Sequence, residues 1–445
     1  MTSPQFMSSY RYFLSLLLLL LTLPARAQWV AQPFTFDTPD VLAYRFAIVD
    51  ANVLWAAGYD ESFANRSVAL TTNGGTTWTR RPVPTLTATE FLTSVSATSA
   101  LDAWVTIANA TSGGRLLHTT DGGTTWTAPA AAPNFGPALP NFVHFFTPTN
   151  GVAVADPLSA PTDTFAIFVT RDGGLTWRPA ASVPAPLPDE NGVVLAPVAI
   201  GNFLWFATDE GRVFTSPDQG DTWLAAVSNT VAAEQYAVAF TDAAHGITVS
   251  VNGATSQQYL HATTDGGLTW QLLPHTGPLF SAGIAGVPGT NLLLSVGAGD
   301  LGPNDVGSSY SRDFGATWTA LETSQYHVGV AAHGPTAVWS GASRADATSL
   351  GIYRLGATAL ATRPTARPAQ PAYPNPSLTG EFRLPLPAAP ATVAITDALG
   401  REVFRTTTPG LQPELALSLR GHAPGVYLLT LSTAAGTTRQ QLVVQ

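Results

Sequence analysis

One octapeptide occurs six times along the chain: Thr71–Trp78 (TTNGGTTW), Thr119–Trp126 (TTDGGTTW), Thr170–Trp177 (TRDGGLTW), Ser216–Trp223 (SPDQGDTW), Thr263–Trp270 (TTDGGLTW) and Ser311–Trp318 (SRDFGATW). Every copy starts with Ser or Thr, has Gly fifth and Thr seventh, and ends in Trp. The third residue is Asp121, Asp172, Asp218, Asp265 or Asp313, and Asn73 in the first copy. Successive tryptophans lie 48, 51, 46, 47 and 48 residues apart. A period of that size means supersecondary units that stack on one another, as a propeller or a solenoid.

The octapeptide has the chemistry of a tight turn between two strands. An Asp or Asn third can accept hydrogen bonds from backbone N–H groups ahead of it. A Gly fifth can take a positive φ. The fourth position is Gln219 in one copy and Phe314 in another, so it does not require glycine. The closing tryptophan opens the next strand and can bury its ring between neighbouring sheets. These six residues are therefore read as structural.

A second motif precedes each octapeptide: Val53–Gly58, Asp102–Ile107, Gly151–Ala155, Phe203–Thr208, Gly246–Val251 and Asn291–Gly297, with a seventh copy at Ala337–Gly341. Four copies carry a tryptophan: Trp55, Trp104, Trp205 and Trp339. These are the second strands of units built in the order A, B, C, octapeptide turn, D. Seven B strands against six turns leave the last unit without a D strand. Trp29, 49 residues before Trp78, is in phase with the ladder. An N-terminal strand in Gln28–Phe36 can complete the last unit, which closes a ring and removes an open sheet edge. The count is seven units over residues 28–356; six with a flanking strand pair is the alternative.

The octapeptide resembles the Asp-box, or bacterial neuraminidase repeat, of sialidase-like propellers. In its TTDGGxTW form and spacing it is most similar to the photosystem II assembly-factor-like propellers, and it also resembles modules of xyloglucan hydrolases and sortilin-type receptors. The resemblance spans 28–356 and implies an all-β fold, a seven-bladed β-propeller; it says little of function.

Residues 357–371 (ATALATRPTARPAQP) read as a linker. Then come Tyr373-Pro374-Asn375-Pro376, short alternating strands, the turn Asp397–Arg401, Pro424-Gly425-Val426-Tyr427 and a terminal QLVVQ. The pattern fits a small Ig-like β-sandwich over 372–445. Its motifs, including Pro374, Asn375, Pro376, Gly425 and Tyr427, resemble the type A sorting domain of the type IX secretion system of Bacteroidota. That resemblance implies passage across the outer membrane by the type IX machinery. It also implies removal of the domain, and a mature protein that is attached to the cell surface or released.

The N-terminus agrees. Arg11, an apolar run from Tyr12 to Leu23 and Ala25-Arg26-Ala27 read as a signal peptide over 1–27. The run is too short to span a membrane, and no later segment is long and apolar enough. The chain has no cysteine, hence no disulfide, thiolate site or lipidated N-terminus. All 20 basic residues are arginine, and two leave with the signal peptide. The mature chain then sets eighteen arginines against 29 acidic residues, a net charge of −11. That excludes nucleic acid and anionic lipid as natural partners.

Catalytic and metal signals are sparse. No cofactor motif occurs, and the histidines show no metal-ligand spacing. Asp300–Asp305 (DLGPND) is at most a weak calcium pattern. Tyr44-Arg45-Phe46 resembles the start of a sialidase Y-R-I-P motif, with Phe46 and Ala47 in place of Ile-Pro. Arg45 falls on the first A strand. His327, taken as the equivalent position of the adjacent last blade, joins it as a channel candidate. The B–C loops hold Asp60, Glu61, Asp156, Asp163, Asp209, Glu210, Asp300, Asp305 and Asp346 against Arg66 and Arg344. In a propeller these loops share a face with the D–A loops, opposite the Asp boxes. Asp60, Glu61, Asp156, Asp209, Glu210, Asp300 and Asp305 thus mark an acidic binding face. The expectation is a non-catalytic module that binds an unknown protein or glycan. The alternatives are an exo-acting sialidase-type glycoside hydrolase, which would use Arg45, and an envelope assembly factor.

Overall fold

The computed structural model describes residues 29–356 and 372–444, apart from 33, 35, 37–40, 60–64, 85, 88, 110–112, 134, 159–162, 194–196, 230–233, 253, 343–350, 374, 387–390, 398–400, 409–413 and 434–435. The signal peptide expected at 1–27, the linker expected at 357–371, and Asp60, Glu61, Asp346 and Pro374 lie outside the described residues.

Residues 29–356 form seven antiparallel sheets that follow one another along the chain. Blade one is Leu42–Ile48, Leu54–Tyr59, Ser67–Thr71 and Thr79–Pro82, and four-stranded sheets repeat that order in blades three to six. Blade two has three strands, Glu90–Ala97, Ala103–Asn109 and Gly113–Thr119. Its fourth place holds a single bridge between His118 and Thr127. In blade seven the strand Trp29–Gln32 supplies the outer place, pairing Trp29 with Leu355 and Gln32 with Ile352.

Seven apolar clusters, one per interface, join each blade to the next. Trp55 of blade one packs with Val105 and Ile107 of blade two. Trp104 joins two to three, Phe142 and Phe206 join three to four, and Trp205 and Phe240 join four to five. Leu260 and Leu293 join five to six, and Val296 and Tyr353 join six to seven. Trp339 and Ile352 of blade seven pack with Leu54 and Ala56 of blade one, so the ring closes. Burial of these large side chains is the main drive for the fold, in which the described residues form no helix.

Each Asp box is a closed hydrogen-bond circuit. In the fourth copy Asp218 Oδ1 accepts the Thr222 N–H at 2.8 Å and Asp218 Oδ2 accepts the Thr222 hydroxyl at 2.7 Å. The Ser216 hydroxyl donates to Asp218 Oδ1 at 3.0 Å and accepts the Gly220 N–H at 2.8 Å. The four other Asp copies close in the same way, and in the first copy Asn73 Nδ2 donates to Thr77 Oγ1 at 2.8 Å instead of accepting from it, so positions one, three, five and seven are fixed by one circuit. The fifth-position glycine has a second reason besides its φ. A Cβ on Gly174 would sit 2.4 Å from the Trp104 ring of the preceding blade, and one on Gly75 would sit 2.7 Å from Trp339. Gln219 and Phe314 take positive φ at position four, 62° and 58°. Their side chains act as clasps: Gln219 meets Asn150 of blade three at 2.6 Å, and Phe314 lies 5.1 Å from His245 of blade five.

The C-terminal unit is a sandwich of two sheets. One pairs Glu381–Pro385 with Glu414–Ser418; the other orders Glu402–Thr408, Ala391–Thr396, Gly425–Thr433 and Gly436–Val444. Between them lie Phe382, Leu384, Val393, Ile395, Leu417, Leu429 and Leu442. Asn375 donates to Gln441 O at 2.6 Å and accepts from Val443 N at 2.9 Å, so its motif staples the last strand. Tyr427 is buried, with its hydroxyl on Ala423 O at 2.7 Å. Pro376 is exposed beside Asn375, and Gly425 opens its strand.

Candidate functional site

Five of the seven inner strands carry a bulge near the end fed by the D–A loop. The pairing skips Tyr44, Thr93, Asn141, Tyr236 and Gly329. A bulge re-aims a side chain and ends regular pairing. Thr93 Oγ1 lies 2.6 Å from Thr106 Oγ1 and 3.0 Å from Pro140 O. Asn141 donates to Asp156 at 2.7 Å. Gly329 N donates to Ala282 O at 3.1 Å, a backbone bond between blades seven and six.

Beside the bulges at Tyr44 and Gly329 lies a cavity of about 60 Å³. Residues on or just before the inner strands of blades one, five, six and seven line it, together with Val193, Phe206 and Ala207 of blade four. Its walls are small or apolar, among them Ala237, Ala282, Gly283 and Gly329, and Arg45 is the charged residue among the described lining groups. Arg45 is 8% exposed, with its guanidinium carbon 4.1 Å from the centre of the Tyr44 ring and one N–H on Tyr44 O at 3.3 Å. Burial pulls its pKa below the ordinary arginine value, and Tyr44 works in the other direction.

His327 does not join Arg45, contrary to the sequence expectation. Arg45 pairs with Ala57, two residues past Trp55, whereas His327 pairs with Ala342, three past Trp339. An odd offset puts the two on opposite faces of their sheets. His327 is fully buried between blades six and seven, against Trp29 and Tyr353, with its nitrogens 3.1 Å from Ser340 Oγ and 3.2 Å from Glu322 Oε1.

The arginines do not converge either. Arg212 stands at the C-strand start of blade four, where its Nε donates to Glu190 at 2.9 Å. Arg312 sits in an Asp box on the opposite face, over the Tyr310 ring. Tyr353 is in the blade six–seven core.

The acidic loop residues divide into two kinds. Asp156 is built in: its carboxylate accepts from Asn141 and from Gly192 N at 2.8 Å, and burial raises its pKa to about 6, with Asp209 adding to the rise. Asp209 accepts from Asn191 N at 2.8 Å. Asp305 is buried and takes the Ser281 N–H at 2.9 Å and hydroxyl at 2.5 Å. Asp300 and Glu210 are exposed, and burial with Asp305 nearby raises the Asp300 pKa. The calcium pattern at Asp300–Asp305 is thus a loop tie, and among the described residues no group of three or more His, Cys, Asp or Glu could hold a metal.

Sequence reasoning missed two latches on this face. Glu90 accepts from Arg115 Nε at 2.9 Å and from Thr87 N at 2.8 Å. Glu190 does the same with Arg212 and with Leu187 N at 2.8 Å. A signal was present: both arginines stand four residues before an Asp box, while Glu90 opens an inner strand and Glu190 lies eight residues before one.

Residues 371–445 match the family model of a secretion system C-terminal sorting domain. No curated protein matches the chain. Among solved structures, the chain is similar to YCF48 bound to D1 peptide, with 19% identity and a TM-score of 0.52 over 74% of this chain and 96% of that one. It is similar to YCF48 from Cyanidioschyzon merolae, with 16% identity and a TM-score of 0.52 over 75% and 99%. At these identities the likeness is one of fold. The chain is a propeller followed by a sorting domain that directs it to the cell surface or outside.

Proposed function

We propose that this protein is a non-catalytic binding module, exported by the type IX route and displayed or released once its sorting domain is removed. On this reading the signal peptide ends at 27 and the mature propeller occupies 28–356. Its ligand face is the one formed by the B–C and D–A loops. The carrying observation is the make-up of the cavity beside the inner-strand bulges. Arg45 is the charged group among its described lining residues, and no carboxylate stands among them. An exo-glycosidase needs a carboxylate pair, or a nucleophile with its partner, around a sugar-sized site. On the B–C loops, exposed acids such as Glu210 and Asp300 favour a partner carrying positive charge.

The test is capture with the full mature chain as bait against envelope and culture fractions of the producing cells, read by mass spectrometry. One enriched partner, lost when Asp209, Glu210 and Asp300 are changed to amides, is the expected result. Turnover of a fluorogenic sialoside that disappears in Arg45→Ala would sink the non-catalytic reading.

A further inference from the structure

We infer that a cavity between blades five and six, on the Asp-box face, is a binding site for a small free phenol. It arises from a gap in the tryptophan ladder. In blades one, two, four and seven the B-strand residue paired with the residue just before the box, or with its counterpart Arg354, is Trp55, Trp104, Trp205 or Trp339. That place holds Val152 in blade three and Ile247 in blade five. Leu294 of blade six has no box after it. The Trp104 ring reaches to 2.4 Å from where a Cβ on Gly174 of the next box would sit, whereas a Cβ on Gly315 would find Ile247 only at 3.7 Å. The next box answers each gap at its fourth position. Gln219 follows Val152 and Phe314 follows Ile247, while the boxes that follow the four tryptophans have glycine there. At Val152 the clasp closes, with Asn150 Nδ2 donating to Gln219 Oε1 at 2.6 Å. At Ile247 it stays open: Phe314, Ile247, Ala262 and Leu293 line a cavity of about 100 Å³ that reaches the surface beside exposed Thr264. A closed apolar cavity of about 150 Å³ takes a whole benzene ring, so an open one of this size takes most of a six-membered ring.

The lining also asks for a hydroxyl. Thr241 lines the cavity and is 1% exposed, and its hydroxyl has no hydrogen-bond partner among the described residues. In blade two the threonine of the same turn, Thr98, donates to Asp102 at 2.8 Å. Blade five has His245 in place of that aspartate, and the His245 ring turns to Asp242 at 3.0 Å. A buried hydroxyl left unpaired costs stability, which a hydroxyl on the guest restores. The rings of His245 and Phe314, 5.1 Å apart, form the aromatic part of the wall and favour an aromatic guest. Phe314 holds a φ of 58°, a strained conformation for a bulky residue, and strain of that kind gathers at ligand clamps. A ring with one hydroxyl meets these features together. A plain hydrocarbon leaves Thr241 unpaired, and a sugar carries more hydroxyls than such walls can satisfy.

The site lies on the face opposite the loops proposed for a protein partner, so its test stands apart from that reading. The full mature chain is titrated with p-cresol, toluene and N-acetyltyrosinamide, read by saturation-transfer NMR. The expected result is saturable binding of p-cresol, about fivefold weaker binding of toluene, and loss of that difference in Thr241→Val. Phe314→Gly restores the glycine of four other boxes and should melt no lower than wild type, yet lose p-cresol. Absence of saturable binding of both p-cresol and toluene to the wild-type protein overturns the site whether or not the variants fold. Equal affinities for the two overturn the phenol assignment. A difference that survives in folded Thr241→Val, or p-cresol binding that survives in folded Phe314→Gly, places the bound ring elsewhere and overturns the site. Tighter binding of N-acetyltyrosinamide than of p-cresol overturns the free phenol in favour of a tyrosine side chain.

Discussion

Trp29 donates its indole N–H to Ser308 Oγ at 2.8 Å across 279 residues of sequence, which ties the first strand of the propeller to blade six. The ring of Trp29 is 2% exposed and lies 4.9 Å from His327. The residue thus serves twice, as part of the strand that completes blade seven and as a wedge between blades six and seven. Trp29→Ala should destabilise the fold by about 3–5 kcal/mol, the usual cost of removing a buried tryptophan. Urea unfolding followed by circular dichroism measures it. A loss below about 1 kcal/mol would mean that the N-terminal strand is not what closes the ring.

Gly174 gives a sharper test of the box. Its φ is 83°, and an added Cβ would meet the Trp104 ring at 2.4 Å. Gly173, one residue earlier, has φ 73° and would meet only Pro148 O, at 3.0 Å. Position four already tolerates Gln219 and Phe314. Gly174→Ala should therefore cost about 1–3 kcal/mol, and Gly173→Ala clearly less. Equal losses in thermal unfolding would show that backbone conformation alone sets the requirement.

Much of this fold was legible because its information is local. The Asp box closes its circuit within eight residues, so Asp218, Gly220 and Thr222 could be assigned roles from spacing alone. The phase of Trp29 with the later tryptophans was enough to place the closing strand. The site was less legible because it depends on register. A single bulged residue, Tyr44 or Gly329, shifts which face its neighbours occupy, and that shift separates His327 from Arg45. Asp156, Asp209 and Asp305 read as free surface charge, yet each is tied to a backbone N–H on another segment. Such ties between distant segments leave little trace in composition.

The Glu190–Arg212 latch should show the asymmetry of a buried ion pair. Glu190 is fully buried, and the Arg212 side chain is 11% exposed. Glu190→Ala alone strands the arginine and should cost about 3–5 kcal/mol. Removing both partners with Arg212→Met and Glu190→Leu should cost markedly less. A double-mutant cycle in denaturant measures the coupling, and additive losses would mean that the pair is not acting as a unit.

The carboxylates of the two loop systems should respond to pH in opposite senses. Asp121 is held down to about 2, first by the Thr125 N–H and then by the Thr125 and Thr119 hydroxyls. Its folded pKa is below the unfolded value, so its contribution is present above about 4 and is lost as pH falls toward 2. Asp156 is raised to about 6 by burial, with Asp209 adding to the rise and Asn141 and the Gly192 N–H opposing it. The folded state therefore holds that proton more tightly than the unfolded chain. Its contribution to stability is fullest below the unfolded carboxylate pKa and declines as pH rises through about 6. Asp156→Asn keeps an oxygen for Asn141 and for Gly192 N while removing the buried charge. It should raise the melting temperature at pH 7.5 and flatten the decline between pH 4 and 6, leaving the acid limb set by the Asp boxes unchanged. Melting curves of both proteins from pH 2 to 8 decide it, and a variant less stable than wild type at pH 7.5 would show that the charge of Asp156, not its oxygen, holds the Gly192 loop.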